Sequence, residues 1–114
     1  EDLSKTIPPI LEEIAVNNSL RKEVLNYDLS KNENDPMNNA IITKLKAFVG
    51  KRVRAVRAGV NYDIKICKTD DICLIGEDLK NKDGVYAKER IISSDLDRDE
   101  FSPRKVKIFL WKSQ

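Results

Sequence analysis

The spacing of apolar residues changes from helical to alternating along the chain, and this change sets the fold class. Residues 19–27 place their apolar side chains on one side of a helix of about three turns, which we expect to be the longest: Leu20, Val24, Leu25 and Tyr27. A polar segment at residues 32–39, which contains Pro36, should follow that helix. Residues 60–66 then alternate strictly, which predicts a half-buried strand with one apolar face: Val60, Tyr62, Ile64 and Ile66.

Residues 45–55 are interpreted as a strand that precedes this one. Its two faces would separate apolar from basic side chains, the apolar ones being Leu45, Ala47, Val49, Val53 and Ala55. Lys51, next to Gly50, breaks the alternation, and we expect a bulge there. The pair Ala58 and Gly59 is typical of a tight turn, so the two strands would form a hairpin.

The remaining segments predict shorter elements of an antiparallel sheet. We expect a turn at residues 68–71, a short return strand at 72–75, an irregular segment at 77–83 and a strand at 85–93. Residues 105–111 alternate again and end at Trp111. The segment between these two stretches, residues 95–103, is acidic and turn-prone. Together, the predicted helix and strands indicate an α+β fold with one main helix packed on an antiparallel sheet.

Length and charge limit the further possibilities. A chain of 114 residues with 40% hydrophobic side chains is expected to form a single domain over residues 1–114, with 1–6 as a loose polar lead. The net charge of +2 is too small and too evenly spread for a typical nucleic-acid binder. No apolar run is long enough to cross a membrane, so no membrane partner is expected.

The absence of histidine argues against an enzyme. The chain has no histidine at all, so it lacks the usual general base and the commonest metal ligand. No glycine-rich phosphate loop is present, and the carboxylates are scattered among lysines. We therefore expect no catalytic residues, no metal and no cofactor.

Two features favour an extracellular setting. Cys67 and Cys73 are placed to form one bridge, which would contribute about 2 kcal/mol because the loop is short. The tripeptide that begins at Asn17 fits a glycosylation sequon. The chain starts at Glu1 without an apolar signal segment, so we expect either a processed product or a domain excised from a longer secreted chain.

Three local sequences resemble the cystatins, inhibitors of papain-like cysteine proteases. Residues 55–66 resemble the family's Gln-x-Val-x-Gly hairpin and the strand after it, which contains an Asn-Tyr pair. Residues 26–36 are similar to the family's helix end, and residues 108–111 resemble the strand before its Pro-Trp loop, which would place a loop at Leu110 and Trp111. In an alternative register, 85–93 and 105–111 are the last two strands, and the family's second loop lies at 95–103. The resemblance covers about residues 7–111 and implies a helix wrapped by a curved antiparallel sheet.

The resemblance implies that a wedge of three segments enters the protease cleft. Carried over residue by residue, the protease-binding positions are Pro8, Pro9, Ala55, Val56, Arg57, Ala58, Gly59, Leu110 and Trp111. Ala55 and Arg57 stand where the family has Gln and Val, and Leu110 stands where it has Pro. These differences keep open an alternative, a cystatin-fold module that binds another protein without inhibition. A third hypothesis is an unrelated α+β domain that binds an anionic ligand through a basic row: Lys44, Lys46, Lys51, Arg52, Arg54 and Arg57.

Overall fold

In the part of the chain that the structure describes, three helices precede three strands. The computed structural model describes residues 3–74, 84–93 and 103–112. After a short 3-10 turn at Leu3–Lys5, the elements are α1 (Ile7–Val16), α2 (Asn18–Asn26), α3 (Pro36–Val56), β1 (Val60–Cys67), β2 (Tyr86–Ile92) and β3 (Arg104–Lys112). The helices pack on the sheet, so the predicted α+β class is confirmed.

The sheet places the last strand in the centre. The strand order is β1-β3-β2, and β3 is antiparallel to both neighbours. Val60 lies opposite Lys112, and Tyr86 lies opposite Leu110. The alternative register is therefore confirmed for β2 and β3, and Trp111 is a strand residue rather than a loop residue. The loop expected at 95–103 lies outside the described residues, except for Pro103.

One hydrophobic core fills the space between the helices and the sheet in the described part of the chain. The predicted strand face of residues 60–66 is confirmed, since Val60, Ile64 and Ile66 are buried and Tyr62 is half-buried against them. The other fully buried apolar side chains come from all the remaining helices and strands: Ile7, Ile14, Val24, Leu45, Val49, Val53, Ile92, Val106, Ile108 and Leu110.

The first two helices follow the sequence signals closely. The side chain of Asn17 accepts hydrogen bonds from the N–H groups of Ser19 and Leu20, and this cap starts α2 where a helix was expected. The prediction of a loose polar lead is wrong for residues 3–6. Leu3 is only 2% exposed, because the 3-10 turn folds back on the core, and it also packs beside α1.

The predicted strand at residues 45–55 is wrong, because these residues belong to α3. With 21 residues, α3 is the longest of the described helices, whereas the sequence analysis expected α2 to be the longest. The side chain of Asp35 accepts a hydrogen bond from the N–H of Asn38, and Pro36 occupies the first helical position, so the polar break starts a helix. The buried residues recur at helical spacing: Ile41, Ile42, Leu45, Val49 and Val53. Ala47 and Ala55 are exposed, and Gly50 lies within the helix, so there is no bulge.

The predicted bridge between Cys67 and Cys73 is present. The turn at residues 68–71 is also confirmed, because the N–H of Asp71 donates to the carbonyl of Lys68 at 3.0 Å. Residues 72–74 form no strand. The carbonyl of Ile72 instead accepts a hydrogen bond from Lys107 Nζ of β3 at 3.1 Å. Residue 75 and the segment 77–83 lie outside the described residues.

The elements define two ends of the molecule. At one, which we name the turn end, α1 starts, α3 ends, β1 and β2 start and β3 ends. The other, the far end, carries the disulfide and the connection between α2 and α3. There the buried guanidinium of Arg104 donates to the carbonyl of Tyr27 from Nε and Nη2, at 3.2 and 3.1 Å. Burial lowers the pKa of Arg104.

Candidate binding surface at the turn end

A tight connection joins α3 to β1 at the turn end. Helix α3 ends at Val56, and the N–H of Arg57 closes it by donating to the carbonyl of Val53 at 2.9 Å. Gly59 has φ +75°, a left-handed conformation that favours glycine. The predicted turn at Ala58 and Gly59 is therefore confirmed, whereas the hairpin is wrong. Ala55 and Val56 form the last turn of a helix instead.

Pro9 and Val56 line the same cavity although they are distant in sequence. The cavity lies between α1 and the end of α3 and measures about 560 Å³. Val56 is 63% exposed, and Pro9 is also exposed, so apolar surface is accessible at the cavity. The complete lining is Lys5, Thr6, Pro9, Ile10, Glu13, Arg52 and Val56.

An ion pair holds the two walls of this cavity together. Arg52 of α3 donates to both carboxylate oxygens of Glu13 on α1, from Nε at 2.9 Å and Nη2 at 2.6 Å. The guanidinium also lies 4.9 Å from the centre of the Phe48 ring. The hydrogen bonds from Arg52 lower the pKa of Glu13, and Glu13 in turn raises the pKa of Arg52. The pair links α1 to α3 across the wall of the cavity.

Pro8 faces a different neighbour from Pro9. It lines a smaller cavity of about 260 Å³ together with Leu11 and strand β2 residues 88–90. Both prolines lie in the first turn of α1, where backbone N–H groups have no helical partner and a missing donor costs little. The first turn of α1 therefore exposes rigid apolar side chains on two sides.

The predicted pair Leu110 and Trp111 divides between the core and the surface. Leu110 is 0% exposed and lies opposite Tyr62, so its side chain is not accessible to a partner. Trp111 lies opposite Asn61, two positions after Gly59, and is partly exposed. Alternation along β3 directs Trp111 to the sheet face away from the helices. The predicted site residues thus meet at one end of the molecule, but on two faces.

Basic side chains at this end were assigned to the wrong element by the sequence interpretation. Residues 36–62 contain six of the 21 Lys and Arg side chains and none of the 19 Asp and Glu side chains. Five of the six lie on α3 rather than on a strand. Three of them form ion pairs with other elements: Lys44 with Glu23, Lys46 with Asp63 and Arg52 with Glu13. The signal available in the sequence was the four-residue spacing of Leu45, Val49 and Val53, which continues back to Ile41.

Other kinds of site receive no support from the described residues. Across residues 3–74, 84–93 and 103–112, no group of three or more Cys, Asp or Glu side chains is arranged to hold a metal ion. No helix within these ranges is long and apolar enough to cross a membrane. Comparison with protein-family models, with curated proteins and with solved structures finds no match to this chain.

Proposed function

We propose that this chain is a non-catalytic protein-binding module that contacts its partner through the turn end. The observation that carries the proposal is the shared cavity of Pro9 and Val56, which exposes apolar side chains on rigid helix ends. Ordered elements lose little conformational entropy on binding, so such a surface suits recognition of another protein. Partly exposed Trp111 adds an aromatic side chain of the type enriched in binding hot spots.

The specific candidate is inhibition of papain-like cysteine proteases, which the sequence resemblance suggests. Papain would be titrated with the purified domain, following hydrolysis of a small fluorogenic substrate. We expect stoichiometric inhibition without cleavage of the domain. Val56→Arg should abolish inhibition, while Val16→Arg should retain it, since Val16 is equally exposed (64%) at the opposite end of α1.

The second candidate is a module that binds a different protein without inhibiting proteases. The helical conformation of Ala55 and Val56 and the burial of Leu110 favour it, because both differ from the loops that the resemblance implies. A photo-crosslinking amino acid would be placed at position 56 and, as a control, at position 16. A protein captured only at position 56, and binding the domain in purified form, would support this candidate. Equal capture at both positions, together with no inhibition of papain, would contradict the proposed surface.

We also propose that the protein is secreted. The disulfide is compatible with an oxidising compartment, and Asn17 is exposed at the start of α2. Its Oδ1 caps the helix while its Nδ2 is the atom that a glycan would modify. Expression through a secretory pathway should yield a glycosylated chain. Asn17→Asp should remove the glycan and keep the cap, whereas an unmodified wild-type chain would argue against use of the sequon.

A further inference from the structure

Among the described residues, acidic side chains are sparse at the turn end. Residues 36–62, which include the end of α3 and the start of β1, and residues 103–112, which include the end of β3, contain no Asp or Glu. The nearby carboxylate of Glu13 is bound by Arg52, and that of Asp63 lies 3.4 Å from Lys46. Both are therefore neutralised by partners on α3, and neither leaves the turn end negative.

Several lysine side chains at this end have no acidic partner among the described residues. Lys5 lines the cavity, and Lys51 is exposed just before Arg52 on α3. Lys112 is exposed at the end of β3, opposite Val60. None of these three lysines forms an ion pair with a described residue. The turn end thus combines an accessible apolar cavity, lined in part by Lys5, with further exposed lysines on α3 and β3.

The cavity favours a protein over a nucleic acid as the source of negative charge. Its volume of about 560 Å³ is sufficient for a large apolar side chain, and its walls include the aliphatic groups of Pro9, Ile10 and Val56. A phosphate backbone has no apolar group that would fill such a space. Moreover, Pro8 and Pro9 remove two N–H donors from the start of α1, the place where a helix would otherwise bind phosphate.

We propose that the partner carries an apolar side chain flanked by carboxylates. The apolar side chain enters the cavity between Pro9 and Val56, and the carboxylates face Lys5 and Lys51. This inference rests on the proposed function, since it names the chemistry of the protein surface that the turn end recognises. Charge complementarity of this kind raises the association rate and makes binding sensitive to salt.

The test uses a defined peptide with the ¹⁵N-labelled domain. The peptide is about a dozen residues long, with one leucine between pairs of glutamates in a Gly-Ser background, and binding at a Kd on the order of 1 mM is expected for so small a contact. Amide signals of Thr6, Ile10 and Val56 should shift and saturate. A peptide with serine in place of leucine should bind about tenfold more weakly. A peptide with glutamine in place of glutamate should bind more weakly and without salt dependence.

Matched variants locate the contact. Val56→Ser should weaken peptide binding about fivefold, and Val16→Ser should leave it unchanged, because the two valines are equally exposed, at 63% and 64%, but only Val56 lines the cavity. Lys5→Gln with Lys51→Gln should reduce the salt dependence, whereas the exposed Lys22→Gln on α2 should not. The absence of saturable shifts at the cavity, or equal binding of the serine peptide, would overturn the inference. Dispersed amide spectra show that each variant is folded.

Two further outcomes separate this inference from the proposed function. Peptide binding at the cavity without inhibition of papain would leave the inference standing and remove the protease as partner. Inhibition of papain that persists in the Lys5→Gln, Lys51→Gln variant, with no peptide binding, would keep the function and overturn the inference. Tight binding of a single-stranded oligonucleotide that is unaffected by Val56→Ser would replace the acidic protein with nucleic acid.

Discussion

Asn38 organises the connection between α2 and α3 at the far end. Its side chain is completely buried, and its Nδ2 donates to three backbone carbonyls, those of Asp28 at 2.9 Å, Lys31 at 3.3 Å and Asn32 at 3.1 Å. Its Oδ1 accepts from the N–H of Asp28 at 2.8 Å. One amide therefore bonds four backbone groups of this loop, and the carbonyls of Asp28 and Asn32 also accept from the N–H groups of Lys31 and Asp35.

Replacement of Asn38 by alanine should lower the free energy of unfolding by about 2–3 kcal/mol, because the N–H of Asp28 and the carbonyl of Lys31 lose the partner that Asn38 provides. Chemical denaturation followed by circular dichroism measures this change. Asn39→Ala is the matched control, since Asn39 is exposed on the same helix and should change stability little. A similar loss in both variants would show that helix propensity, rather than the buried network, is responsible.

The ion pair of Glu13 and Arg52 predicts a dependence of stability on pH. The hydrogen bonds from Arg52 lower the pKa of Glu13 in the folded state below its ordinary value of 4.5. The stabilisation is therefore complete above pH 4.5 and is lost as the pH falls through the folded pKa. Carboxyl ¹³C NMR should show a titration midpoint of Glu13 below 4.5 that returns toward 4.5 in Arg52→Gln. A wild-type midpoint at or above 4.5 would contradict this.

At the level of elements, close packing of α3 on β1 depends on Gly50. A Cβ atom at this position would lie 2.3 Å from Tyr62 Oη and 2.7 Å from Tyr62 Cζ. Alanine improves helix propensity by about 1 kcal/mol, but displacement of the tyrosine ring costs about 1–3 kcal/mol. We therefore expect Gly50→Ala to be neutral or destabilising in the wild-type protein.

Gly50→Ala should become stabilising when Tyr62 is replaced by leucine. The gain in helix propensity remains, and the clash with the tyrosine ring is removed. A double-mutant cycle from denaturation data should give a coupling energy of more than about 1 kcal/mol between the two positions. Additive effects would mean that Tyr62 moves aside without loss of packing.

The sequence predicted those elements in which the spacing of apolar residues agrees with the cap and turn residues at their ends. Asn17 and the apolar residues after it specified α2, and strict alternation specified β1. The error at residues 45–55 arose because Leu45, Val49 and Val53 satisfy both periods, four residues being a multiple of two. Inclusion of Ile41 and Ile42 in the pattern separates the two interpretations, since these adjacent apolar residues fit one helical face and not one strand face.

The candidate site was predictable as a set of residues but not as a surface. Sequence similarity selected Pro9, Val56 and Trp111, and the structure places them at the turn end. The cavity itself depends on the contact of α1 with the end of α3, a pairing between residues about 40 positions apart that no local pattern encodes. Burial of Leu110 likewise follows from the central position of β3, which only the strand order reveals.

At the scale of the whole molecule, the disulfide and the turn end lie at opposite ends of one hydrophobic core. Cys67 ends β1 and is bonded to Cys73 across a sequence separation of six residues. The buried apolar side chains of the described helices and strands form one cluster, so they should unfold together. The bridge stabilises this unit mainly by restricting the unfolded chain.

Replacement of both cysteines by serine should therefore lower the stability by about 2 kcal/mol, equivalent to a decrease in Tm of roughly 10 °C, with a single transition retained. Calorimetry measures the change. In ¹⁵N spectra of the folded variant, amide signals of Asp71 and Ile72 should shift, because Lys105 and Lys107 donate to their carbonyls. The signal of Val56 should not move, since the cavity between α1 and α3 has no contact with the bridged loop. Two transitions, or a shift at Val56 as large as that at Ile72, would show that the two ends are coupled and that loss of the disulfide alters the proposed binding surface.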